Sequence, residues 1–430
     1  MKLSTLTGGI AAAITLATGT AACGSQPASL KSVASSSHSS TRSVASPASG
    51  SAVQPAPGQP SAADVAGARL ISLALASPER GVGLFESQRG ARCQALSGRT
   101  SDGGAHFGRV AVITSWNCSG APTVTSVAAD SSGQVFAYGP ALFISGNEVG
   151  PWRSSPQPGR VLAVSAVGRS VWLLLAECQS AEGNGGRCTL RLAESADGGR
   201  SWRPAPAQPP GAFVSGGAAG ALAETALGQT WLLRTGPSAG YVLSYPHRND
   251  RGLADSAPLW YTGDGGRTWS RRQIPCGQDA MSVVAAAGPG DALAAVCAGQ
   301  PAAGSQAKFT TASADGGLSW TKPVGCSFTT PCGDSVLLGG YVAQIAAVSA
   351  RVIYLVGGRG SLLVTSDAGR RWRMVRPMIG DSGGGTSEVI FFGSSDGVVL
   401  GESASASEAV TIWHTSNSGR TWTAVEPKLG

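Results

Sequence analysis

Apolar residues in this chain come in short runs broken by turn residues, and the runs arrive in sets of four. "QIAAVSA", "VIYLVGG", "LLVTSDAG" and "RWRMVRP" (from Gln344 to Pro377) form one set. "LISLALAS", "VGLFES", "CQALSGRT" and "RVAVITS" form the first set, and "EVIFFGS", "GVVLGES", "VTIWHTS" and "TWTAVEP" the last. Runs of this length, bounded by Gly, Ser and Pro, predict β-strands.

Between the third and fourth run of a set stands an octapeptide of the form Ser/Thr-x-Asp-x-Gly-x-x-Trp, called the box below. It ends at Trp202, Trp269, Trp320, Trp372 and Trp422, and "TSDGGAHF" places Thr100, Asp102, Gly104 and Phe107 in the same register. A worn copy, "SGNEVGPW", ends at Trp152, with Asn147 and Val149 in place of Asp and Gly. The terminal aromatics recur at intervals of about 50 residues, with one longer interval, which is the range of propeller blades. The expected fold is therefore all-β: a seven-bladed β-propeller of four-stranded antiparallel blades over residues 66–430.

The box reads as a hairpin turn. Its Asp accepts backbone N–H bonds, Ser/Thr adds a hydroxyl bond, and Gly supplies a positive φ. The Trp opens the fourth strand and is expected to pack back against its own blade. Asp102, Asp197, Asp264, Asp315, Asp367 and Asn417 are thus structural. A calcium role fails because each turn offers one carboxylate and calcium takes roughly six to eight oxygens.

These boxes resemble Asp-box (bacterial neuraminidase) repeats. Phrases such as "VIFFGSSDGVVLGE" and "GGRGSLLVTSDAGRRW" are similar to propellers of the photosystem II stability/assembly factor type. The resemblance spans about Ala66 to Gly430. It implies a binding site on the face opposite the boxes, where connections between second and third strands gather. Those connections carry Arg89, Arg92, Arg187, Tyr245, His247, Arg248, Arg251 and Arg359, and the stretch from Tyr245 to Pro258 accounts for the long interval before Trp269. Arginines from several blades would suit planar anions; separate solvated loop arginines are the other reading.

A sialidase would need an arginine triad, a Tyr/Glu pair and an Asp acid. Its Arg-Ile-Pro signature is missing, and "RRQIP" (Arg271 to Pro275) has Gln273 where Arg belongs. A noncatalytic binding or assembly module is the expectation, with an exo-α-sialidase-like hydrolase as the alternative.

Composition changes the picture mainly at the N-terminus. Residues 1–22 carry Lys2, a short apolar stretch and then small residues, a pattern of export. "TAAC" (Thr20 to Cys23) resembles a lipobox with Thr20 where Leu is usual, so Cys23 is either the lipidated first residue of the mature protein or follows a plain cleaved signal peptide. Residues 23–65, rich in Ser, Ala, Pro and Gly, read as a disordered tether with a reach of roughly 35 Å.

Setting aside Cys23 from nine cysteines leaves an even number, in neighbouring pairs: Cys93/Cys118, Cys178/Cys188, Cys276/Cys297 and Cys326/Cys332. In an exported chain these read as disulfides, each worth roughly 2–4 kcal/mol. With no Cys-x-x-Cys and with His38, His106, His247 and His414 scattered, neither metal nor cofactor is expected. A net charge of +7 without a basic run argues against a nucleic-acid surface. The partner expected is an envelope protein or an anionic glycan or polymer, with the membrane reached only through a lipid anchor.

Overall fold

The computed structural model describes residues 60–130, 132–148, 150–179, 187–210, 213–215, 231–243, 248–249, 252–253, 257–276, 282–288, 291–302, 305–326, 342–357, 362–375, 386–402 and 410–430. The chain divides into Met1–Gln54, which lies outside the described residues, and Pro55–Gly430. The second unit is a seven-bladed β-propeller of four-stranded antiparallel blades.

Each blade runs outward in chain order. The inner strands are Arg69–Leu75, Ser126–Ala129, Arg160–Val167, Trp231–Arg234, Ser282–Ala287, Val342–Ala347 and Thr386–Phe392. The outer strands, each following a box, are His106–Asn117, Arg153–Ser154, Arg203–Pro204, Ser270–Ile274, Val324–Cys326, Arg373–Met374 and Thr423–Val425. Residues assigned to the tether by composition include a one-turn helix, Ala62–Ala66. Its Ser61 and Asp64 cap each other reciprocally, and the Ser87 hydroxyl donates to the Asp64 carbonyl at 2.7 Å.

Side chains alternate across each strand, and both faces of every blade are covered by a neighbouring blade. In the second strand of blade 3 (Ser170–Gln179), Val171, Leu173 and Leu175 pack toward blade 2 while Trp172, Leu174 and Ala176 pack toward blade 4. That is why the sequence shows continuous apolar runs there instead of a polar alternation.

Among the described residues the buried apolar side chains form seven clusters, one at each blade junction, and each contains the box aromatic of the later blade. Trp152, Trp372 and Trp422 are buried outright, and Phe107 does the same at the junction of blades 7 and 1. These aromatics pack on their own blade, as Trp422 Nε1 does in donating to the Gly419 carbonyl of its own turn at 3.1 Å, and on the preceding blade as well. The indole lies on the face turned toward the preceding blade; thus Trp202 Nε1 donates to Ser155 Oγ of blade 2 at 2.9 Å, and Trp152 Nε1 to Ser97 Oγ of blade 1 at 3.0 Å.

Backbone geometry explains the repetition. The two residues after the box Asp are left-handed: Gly198 and Gly199 have φ of 74° and 77°, and Ala368 and Gly369 have 61° and 89°. This turn lets the first of them donate its N–H to the connection between the first two strands of the same blade. The bonds are Gly103 to Glu79, Gly198 to Arg169, Gly265 to Ser238, Gly316 to Asp291, Ala368 to Arg351 and Ser418 to Ser395, all 2.7–3.0 Å. In these six blades the box hairpin is therefore pinned to the other hairpin on its face.

The ring closes in two ways. Lys428–Leu429 adds to blade 1 as a fifth strand, parallel to His106–Phe107, with Lys428 N–H on the Ala105 carbonyl and Gly430 N–H on that of Phe107, both 3.0 Å. Leu429 joins the junction of blades 7 and 1. Covalent links stiffen other parts of the ring. Cys93–Cys118 ties the third strand of blade 1 to the end of its outer strand, Cys178–Cys188 bridges directly opposed residues in blade 3, and Cys276–Cys297 joins blade 4 to blade 5, as expected from proximity. Cys332 lies outside the described residues, and so does its pairing with Cys326.

The turn geometry yields opposite outcomes for two small substitutions. A Cβ at Gly199 would come within 2.6 Å of Ile144 Cδ1 and 2.9 Å of Trp202 Cζ2, in a left-handed residue. Gly199→Ala should cost about 2–3 kcal/mol, whereas Ala368→Gly should gain about 0.5–1 kcal/mol by relieving a Cβ in that conformation. Denaturant unfolding of the two variants checks this; shifts of the same sign would overturn it.

Candidate functional site

The box turns have little polar chemistry left to offer. In blade 3 the Ser195 hydroxyl donates to Asp197 Oδ1 at 2.8 Å and accepts from Gly199 N–H at 2.7 Å. Asp197 Oδ1 accepts from the N–H groups of Arg200 and Ser201, both 2.9 Å, and Oδ2 from the Ser201 hydroxyl at 2.6 Å. Asp264 and Asp315 repeat this pattern with Thr268 and Ser319. In blade 7 Asn417 reproduces it with an amide, accepting from Thr421 N–H at 2.9 Å and donating to the Thr421 hydroxyl at 2.7 Å.

These bonds favour the ionised form. The Thr268 hydroxyl, then its N–H, hold Asp264 at about 2, and Ser319 does the same for Asp315. Ser201 holds Asp197 well below the carboxylate range. For Asp102, burial pulls upward, but the N–H and ring of His106 outweigh it and leave the group at about 2. In Asp367, burial is likewise outweighed, chiefly by the N–H of Arg371. Carboxylates so held are poor proton donors near neutrality and are already engaged within their own turn.

On the opposite face, Arg89 and Arg92 flank the tight hairpin of blade 1 as a directly opposed pair, both exposed, with Arg92 Nη2 on Ser115 Oγ at 3.2 Å. Arg187 opens the third strand of blade 3 and Arg248 lies in a small extra hairpin, Arg248–Asn249 with Gly252–Leu253, built into the long connection of blade 4. Tyr245, His247, Arg251 and Arg359 lie outside the described residues. What the structure brings together on this face is therefore the Arg89/Arg92 pair.

Sequence reading missed a set of links along the inner strands. The inner edge of a blade leaves N–H groups without a ladder partner, and side chains of the preceding blade fill several of them. Ser72 Oγ accepts from Val127 N–H at 3.3 Å, Ser165 Oγ from Arg234 N–H at 3.0 Å, and Gln344 Oε1 from Val389 N–H at 2.8 Å. Glu388 closes the set by accepting from Leu73 N–H at 3.4 Å, across the junction of blades 7 and 1.

Glu388 differs from the others in being ionisable. Although partly accessible, it is surrounded by protein, and burial pushes it up to about 7 against the pull of the Leu73 bond. Tyr138 of blade 2 feels its charge, but burial comes first in pushing that phenol up to about 12, with Ser126 opposing. The one clue in the sequence was a lone carboxylate in "SEVIFF". Among the described residues no group of three or more His, Cys, Asp or Glu gathers as a metal site.

Two pH limbs follow, of opposite sign. The box carboxylates sit at about 2 against an ordinary 3.8, so their contribution is complete above about pH 4 and lost as pH falls through about 2. Glu388 sits at about 7 against 4.5, so its contribution is complete below about pH 4.5 and lost as pH rises through about 7. Asp315→Asn should flatten the acid limb. Glu388→Gln should match the parent near pH 4 and be more stable near pH 8 by on the order of 1–3 kcal/mol. Thermal unfolding between these pH values decides; an unchanged profile in Glu388→Gln would overturn the assignment.

No family model matches the chain, and no curated protein matches it. Among solved structures, it is similar to YCF48 from Cyanidioschyzon merolae at 14% identity, with 84% of this chain and 98% of that chain covered and a TM-score of 0.49. YCF48 bound to D1 peptide gives 16% identity, 78% and 91% coverage and 0.46. The NanB sialidase from Streptococcus pneumoniae gives 10% identity, 85% and 69% coverage and 0.35.

Proposed function

We propose that the chain is an exported, lipid-tethered, noncatalytic binding module of the cell envelope that takes its partner on the face opposite the boxes. The reading is carried by the asymmetry between the two faces. Box hydroxyls, carboxylates and N–H groups are used within and between the hairpins of one face. Connections on the other face vary from the Gly90–Ala91 turn of blade 1 to residues 244–256 in blade 4. Variable connections on a rigid scaffold are where repeat proteins place recognition.

Location has its own support. Three disulfides suit an oxidising compartment, and the leader ending at Cys23 has the pattern of lipoprotein export. The partner is an envelope protein or an anionic glycan or polymer gripped by arginine forks. The hydrolase alternative lacks its Arg-Ile-Pro signature, and burial pushes the phenols of Tyr138, Tyr241 and Tyr354 up to about 12 where a nucleophile needs its proton affinity lowered.

The test is crosslinking and pull-down of the full tethered protein from its native envelope. Arg248→Glu with Arg359→Glu should reduce capture with the melting temperature nearly unchanged, while Asp315→Ala should mainly lower that temperature. The reverse pattern would mean the binding face is the box face. Cys23→Ser should abolish lipid labelling and membrane association, and sialoside hydrolysis above background would favour the enzyme.

A further inference from the structure

Blade 2 has the worn box, and the structure compensates for it electrostatically. Glu148, next to the Asn147 that replaces the box Asp, is buried with its side chain 6% exposed. Arg99 Nε of blade 1 lies 2.6 Å from its Oε2, and Arg80 Nη2, also of blade 1, lies 3.4 Å from its Oε1. These groups line one open cavity of about 500 Å³ between blades 1 and 2 on the box face, together with a third cation, Arg109.

Arg109 is not held like the others. It is exposed, at the register shift where the outer strand of blade 1 bulges between the pairs Ser97/Ala111 and Arg99/Gly108. Among the described residues no carboxylate lies within ion-pairing distance of it. Its φ is 50°, and among the described residues the other left-handed ones with a side chain, Ala368 and Ser418, sit in box turns where glycine is otherwise used. A left-handed φ is a sparsely populated conformation for a residue with a Cβ, and the bulge sets the direction in which the Arg109 side chain leaves the strand.

Charge then specifies the ligand. Three guanidinium groups against one carboxylate leave two positive charges in the cavity, and Arg80 retains a half-exposed fork beyond its contact with Glu148. Forked donors on several sides suit a tetrahedral oxyanion. We propose that the junction of blades 1 and 2 on the box face binds a doubly charged tetrahedral oxyanion, as free phosphate or a phosphate monoester, with Arg80 and Arg109 as its ligands and Arg99 held in place by Glu148. This site is separate from the face proposed for partner capture.

The experiment is calorimetric titration of the purified full chain with sodium phosphate and with glycerol 3-phosphate, at ionic strength fixed by chloride. Saturable binding is expected, tighter at pH 8 than at pH 5, because the second phosphate proton leaves near pH 6 to 7. Arg109→Gln should weaken it by about tenfold or more. Arg109→Gly removes the guanidinium and relieves the backbone, so it should bind as weakly yet melt higher than the parent. Equal affinities would assign the free ion and tighter glycerol 3-phosphate an ester. A response no greater than that to chloride, or unchanged affinity in both variants, would overturn the site, and neither result bears on envelope capture.

Discussion

The rest of the molecule depends on one constraint: no blade has a core of its own. Each sheet is apolar on both faces, so its buried residues are shared with the blades before and after it. Such a sheet must be held at a fixed angle to its neighbours, and the box does this. Two left-handed residues, a hydroxyl and a carboxylate fix the turn, and the aromatic at its end is delivered into the junction with the preceding blade. Repetition of the box is therefore repetition of an angle, which is what a ring requires.

A ring of shared cores is stable only when closed, and the junction of blades 7 and 1 is built differently from the rest. Phe107 stands where the other blades carry Trp, edge to face with Phe85 at 5.0 Å between centroids. Lys428–Leu429 adds a parallel strand outside it, and Glu388 reaches across on the inner side. The other irregular place, between blades 1 and 2, keeps its indole contact through Trp152 but replaces the box carboxylate with an ion pair between blades. Burying Glu148 is tolerated because two guanidinium groups meet it.

The hydrogen bonds of the repeat are concentrated on one face of the ring. The box face is hydrogen-bonded to itself, which makes it rigid and leaves its carboxylates unsuited to proton transfer. The connections on the other face are not bound by the repeat and are free to vary. The cavity lined by Arg80, Arg99 and Arg109 lies on the box face where the repeat departs from its own pattern.

Local chemistry was readable from the sequence. Four apolar runs per unit, a turn of fixed composition and an interval of about 50 residues predict seven blades because strand period and turn type are set within a few residues. Neighbouring cysteines likewise foretold the Cys178–Cys188 and Cys276–Cys297 bridges. Only the tertiary structure decided which way each indole faces, since a strand covered on both sides gives no apolar alternation to read. It also decided closure by Lys428–Leu429, the meeting of Glu388 with Leu73, and the gathering of Arg80, Arg99, Arg109 and Glu148. Those contacts join residues whose positions along the chain are unrelated, and they exist because the ring brings together strands that local propensity cannot see.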